Sequence, residues 1–270
     1  MLPILLAGIV VSLALLFQVG TNDGGSVHGP SAAEFARVFT RWLHFVAGTV
    51  WVGMLYFFNL VNVNFMKTLD GPTKGKVVPS LLPPALFWFR WGAMVTVLAG
   101  LMYFAMYILA PDARTAGLNT WTILFKWLGW VVIAWGLIYA MVQFESGPLN
   151  KGPILAICVA AVTILMSAMI IQSLRVTTPW GPAFSNRSLS IALGGGLGVI
   201  MLLNVWGIIW RSQKKIIAWT RNNAEKGEAI PAESAVLQRR AFLTSRMNAW
   251  LSLPMLFFMA AAHGDYVWWR

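Results

Sequence analysis

Long, nearly unbroken apolar runs alternate with short polar stretches along this chain. The runs occupy 2–19, 42–65, 83–109, 121–143, 152–173, 188–210 and 247–263. A helix needs about 20 apolar residues to cross a bilayer core, and soluble strands and core helices do not use runs of that length in series. The pattern predicts an all-α fold: a polytopic transmembrane bundle of about seven helices, forming a single domain over 1–270 with little outside the lipid. The first run has no Lys or Arg before it, and no small-x-small cleavage site follows at Gln18–Asp23. It reads as a retained first helix rather than a removed signal peptide.

The polar stretches refine this picture. Ser31 and Glu34 have the spacing of a capping box, so the second helix is expected to begin ahead of its apolar run. The longest polar segment, 211–246, reads as a basic loop. Within it, Ala232–Arg246 is expected either as an amphipathic helix on the membrane surface or as a solvated loop helix. Gly194, Gly195, Gly196 and Gly198 lie inside an apolar run with no Lys-Ser or Lys-Thr after them. Close packing of small residues between helices explains them better than a phosphate loop.

Composition agrees with the pattern. The chain is 58% hydrophobic and only 11% charged, against about 25% charged residues in ordinary soluble domains. A net charge of +11 invites a nucleic-acid reading. The basic residues, however, collect between alternate apolar runs, which is the mark of membrane orientation and argues for membrane lipid, not nucleic acid, as the surrounding partner. The stretches after the second, fourth and sixth runs hold twelve Lys and Arg, and the opposite side holds six. The richer side is assigned to the cytoplasm, which places the 211–246 loop and the N-terminus inside and the C-terminus outside. The single cysteine, Cys158, excludes an internal disulfide and a Cys-x-x-Cys-His haem attachment within this sequence.

Polar side chains inside membrane spans are costly, so each is a candidate for function. His44 lies about one turn into the second run, and His263 closes the last. Topology puts both at similar depth toward the outer side. Neutral imidazole is a good iron ligand, and haem b held between facing helices needs only axial nitrogens from the protein. The equal alternative is that each histidine merely hydrogen-bonds a neighbouring helix. His44, Gly48, Trp51 and Leu55 share one helical stripe, and Gly48 would let a flat ring approach the backbone. Arg41 and Lys126 are candidates to hold propionates or another anion, with snorkelling to headgroups as the alternative for Lys126. Asn59, Asn62, Asn204 and Asn248 read as helix-packing residues.

Two stretches carry a resemblance. They are Arg41-Trp-Leu-His44-Phe-Val-Ala-Gly48-Thr-Val-Trp51-Val-Gly53 and Asn248-Ala-Trp-Leu-Ser252-Leu-Pro254, the latter continuing through apolar residues to His263. Both resemble the membrane domain of the cytochrome-c-linked urate hydroxylases, the urate oxidase N-terminal domain family, with Ser252 where the family motif has threonine. The resemblance implies an oxidoreductase of the bacterial inner (cytoplasmic) membrane that hydroxylates urate and passes electrons to a cytochrome c. The family's C-terminal cytochrome c domain with its Cys-x-x-Cys-His motif does not occur in this sequence. Electrons are therefore expected to leave through a separate periplasmic cytochrome c. The alternative is a structural or electron-transfer subunit that works with other membrane subunits.

Overall fold

A computed structural model describes residues 31–263, apart from 145 and 180. The first predicted span, 2–19, lies outside the described residues. The chain divides into two compact units, 1–39 and 40–270. In the first, Ser31 and Glu34 form the expected capping box: the Ser31 N–H donates to the Glu34 carboxylate at 2.9 Å and the Glu34 N–H donates to the Ser31 hydroxyl at 3.3 Å.

Among the described residues six long helices carry the fold: α1 (Ala32–Thr68), α2 (Gly71–Thr115), α3 (Thr120–Gln143), α4 (Gly152–Leu174), α5 (Asn186–Lys226) and α6 (Glu233–Ala261). The first five are long and apolar enough to cross a membrane. The sixth carries the last apolar run in its second half. A short hairpin, β1 (Thr177–Thr178) paired antiparallel with β2 (Gly181–Pro182), joins α4 to α5. The protein is an all-α, multi-pass membrane bundle.

Several helices overrun the apolar runs. α2 begins at Gly71 rather than at 83 because Pro79, Pro83 and Pro84 sit within it without ending it. Proline is tolerated in such helices when neighbouring groups satisfy the freed carbonyls. The 211–246 stretch, expected as a loop, is mainly helix. α5 continues to Lys226 and stops at Gly227, whose positive φ of 72° suits a left-handed C-cap. From Glu233 the chain is helical again and runs without interruption into the last apolar span. The helix expected at Ala232–Arg246 is thus the first half of α6 and not a separate element. The turn holds the two ion pairs among the described residues, Lys215–Glu233 at 3.0 Å and Lys226–Glu228 at 3.8 Å.

α5 is the central helix. Its most apolar window is 67% buried, against 22–39% for the other four spans. Its glycines explain how. A β-carbon at Gly194 would lie 3.1 Å from the Met255 carbonyl and from Cβ of Phe258, both on α6. One at Gly196 would press on Val131 of α3 and Met166 and Ile170 of α4. Small residues let backbones approach where lipid gives no hydrophobic drive between helices. The outer faces carry exposed Phe125, Ile157, Ile164 and Trp250, as lipid-facing surfaces do.

Three π-helical turns interrupt the helices, at Phe57–Asn62, Ala105–Leu109 and Val205–Ile209. Such turns shift the register of all that follows. The first carries Asn59, which is buried and donates from Nδ2 to the Ser245 hydroxyl at 2.9 Å. Next to the third, Asn204 donates to Asn248 Oδ1 at 2.8 Å, and Asn248 donates in turn to the Met201 carbonyl at 3.0 Å. Tyr56 shares a hydrogen bond with Ser252 at 3.0 Å. Asn59, Asn204 and Asn248 are therefore the interhelical packing groups that their types suggest.

Candidate functional site

One cavity of about 470 Å³ opens between α1, α2, α5 and α6. That volume falls in the range of about 300–1,000 Å³ for small-molecule and cofactor sites. Arg41, His44, Gly48, Trp51 and His263 all line it. Five of the six residues singled out from the sequence thus meet at one place. The helical stripe on α1 is what brings four of them there, since positions three and four apart share a face.

Each histidine is held by its own carbonyl. His44 Nδ1 lies 2.8 Å from the Thr96 carbonyl on α2, and His263 Nδ1 lies 2.9 Å from the Met259 carbonyl one turn back on α6. A carbonyl can only accept, so Nδ1 is the protonated nitrogen of each ring. In the neutral imidazoles Nε2 is then a bare lone pair. An Nδ1–H to carbonyl bond is the usual way that a protein fixes the tautomer and orientation of a ligating histidine. The ring of Phe45 links the two, with centroids 6.0 Å from His44 and 6.3 Å from His263. Arg41 lies over the same ring, 5.7 Å from its centroid.

The seat of His44 depends on residues that no motif marks. A β-carbon on Gly100 would stand 2.7 Å from Cε1 and Nδ1 of the imidazole, closer than real contacts allow. Only glycine leaves room for the ring in this place. The Thr96 hydroxyl is turned back on its own helix, donating to the Gly92 carbonyl at 2.6 Å, so only its main chain serves the histidine. A β-carbon on Gly48, by contrast, would meet the Thr96 methyl at an ordinary 3.5 Å. Trp51 is 1% exposed, and its Nε1 has no partner. Trp127 of α3 also lines the cavity and is held by a bond from Nε1 to the Ala192 carbonyl at 2.9 Å.

Lys126 is not brought to the cavity. It is exposed, while its neighbour Trp127 takes the inward position. Successive helical residues differ by about 100° around the axis, so only one of the pair can face in. The second cation of the cavity is Arg187, in the first turn of α5, whose Nη2 donates to the Tyr103 hydroxyl at 3.3 Å. In the sequence Arg187 lies just ahead of the 188–210 run, one of the six basic residues counted on the outer side. Only its position at the head of a helix hinted at a place in the cavity.

The donor set suits a ligand that brings its own metal-binding ring. Among the described residues no group of three or more His, Cys, Asp or Glu gathers in a way that could hold a bare metal ion. Two imidazoles alone leave such an ion short of ligands. A porphyrin supplies four nitrogens itself and asks the protein only for axial positions.

Fold and cavity together define a multi-pass α-helical membrane protein with a ligand cavity between its helices, carrying two imidazoles and two guanidinium groups. The chain belongs to the Urate oxidase N-terminal family, whose pattern matches residues 30–269. It is therefore a urate-hydroxylase-like membrane domain. Searches of curated proteins and of solved structures each returned no match.

Proposed function

We propose that this chain is a redox protein of the urate hydroxylase type in a bacterial inner membrane, holding haem b in the cavity and passing electrons to a cytochrome c. The carrying observation is the pair of imidazoles on one cavity, each with Nδ1 on a main-chain carbonyl and Nε2 free. His44 and His263 would hold the iron, which supplies one-electron chemistry when bound. The chain's own part is orientation and exclusion of water. Thr96 and Met259 fix the two rings through their carbonyls. Trp51 and Phe104, 1% and 3% exposed, close the inner wall with apolar surface. His263 itself is exposed, so the cavity reaches the surface where an electron-transfer partner can approach.

Reduced-minus-oxidised visible spectra of the detergent-purified protein test the reading. A sharp α-band of six-coordinate haem b is expected. His44→Ala and His263→Ala should each lose it, with haem content falling at least tenfold by pyridine extraction, in line with removal of a metal ligand. A wild-type spectrum retained in both variants would overturn the proposal.

A further inference from the structure

We infer that Arg187, together with Arg41 and Tyr103, forms an anion-binding site in this cavity that takes the carboxylate or oxyanion edge of a planar ligand. In its haem arm the inference rests on the reading above.

The cavity is electrostatically one-sided. Two guanidinium groups line it, and among the described residues no Asp or Glu does. Arg187 is the more constrained of the two. Its Nε is buried without a hydrogen-bond partner, while Nη2 reaches the Tyr103 hydroxyl. Arg187 as a whole is half-buried, but a buried N–H left idle is costly unless something in the site accepts from it. Its planar fork matches the two oxygens of a carboxylate, which a lysine does not reproduce.

The obvious internal counter-ion is committed elsewhere. Asp112, near the end of α2, accepts at Oδ2 from the Ser185 N–H at 2.8 Å, the Ser185 hydroxyl at 2.7 Å and the Ser188 hydroxyl at 2.6 Å. These three bonds tie the start of α5 to α2 on either side of Arg187. Asp112 therefore fixes where the guanidinium sits without neutralising it. Ser185 also caps α5 by accepting from the Ser188 N–H at 3.2 Å. Arg41, set over Phe45, supplies the second positive charge.

The same chemistry could come from haem propionates or from a free organic anion, and the test separates them. The full chain in detergent is titrated with iron protoporphyrin IX, with its dimethyl ester, and with urate as a free planar anion. If propionates are the ligand, wild type binds the free-acid porphyrin about tenfold more tightly than the ester, about 1.4 kcal/mol, and Arg187→Gln levels the two. If a free anion is the ligand, urate raises the unfolding temperature of wild type but not of Arg187→Gln, and esterification changes nothing. Tyr103→Phe, which keeps the ring, should weaken whichever preference wild type shows and serves if Arg187→Gln does not fold. The inference is overturned if wild type shows neither preference, or if both variants retain it in full. Failure of the haem reading is distinct: porphyrin then binds equally to wild type, His44→Ala and His263→Ala, and the urate arm alone decides.

Discussion

The polar seam and the cavity use the same helices and treat polar side chains in opposite ways. In the seam, the amides of Asn59, Asn204 and Asn248 all donate, to Ser245, Asn248 and the Met201 carbonyl. What remains unpaired there is an acceptor oxygen, Asn204 Oδ1. Around the cavity the unpaired groups include donors, Arg187 Nε and Trp51 Nε1, and both histidines keep Nε2 free. Orphaned N–H groups are rarer in proteins than under-used carbonyls. A polar group in a membrane that is satisfied by its neighbours is holding helices together. One left unpaired on a cavity wall, as Arg187 Nε is, is a candidate to meet a ligand, whereas Arg90 Nε and Trp135 Nε1 are unpaired away from the cavity.

Gly100→Ala should break this contrast most severely. The added methyl lands 2.7 Å from the His44 ring, so the imidazole must leave its bond to Thr96. A ligating histidine stripped of its orienting partner typically loses about 10–100-fold in affinity. Porphyrin titration of the variant should show a loss in that range although both histidines are still present. Unchanged affinity would mean that the Thr96 bond does not set the ring.

Asn248→Leu addresses the other region and should act on stability alone. It removes the acceptor of Asn204 Nδ2 and the donor to Met201. Interhelical hydrogen bonds in membranes are worth about 0.6–2 kcal/mol each, so the variant should be about 1–3 kcal/mol less stable in detergent unfolding. Its porphyrin affinity should stay at the wild-type level. A parallel loss of affinity would show that the seam and the cavity are one cooperative unit.

The sequence carried the five spans from 42 to 210 and most of the cavity, for a physical reason. His44 and His263 stand out because a polar group in an apolar run is rare, and the α1 stripe follows from helical periodicity alone. Gly100 and Arg187 were not legible. Their roles exist only because α2 approaches α1 and because α5 starts against α2 at Asp112, and neither approach leaves a local pattern. The faces of α3 and α4 were hidden too. Lipid and protein interior are both apolar, so hydrophobic periodicity cannot say which side of such a helix faces in. A helix was expected at Ala232–Arg246, but its continuity with the last span was not, nor was the extension of α5 to Lys226, where the residues after Trp210 contain no Gly or Pro to stop the helix.

The smallest expected effect separates Lys126 from Arg187. The two cations differ in what surrounds them, not in charge. Lys126 is exposed beside an inward Trp127, so its ammonium has solvent or headgroups at hand. Arg187 has a buried Nε on the cavity wall. Lys126→Ala should therefore change unfolding stability by no more than about 0.5 kcal/mol, as surface substitutions do. It should also leave intact the preference for free-acid porphyrin or for urate that Arg187→Gln removes. If Lys126→Ala instead abolished that preference, the anion would have to sit outside the cavity, on the α3 surface, and the idle N–H of Arg187 would be a packing defect without a ligand.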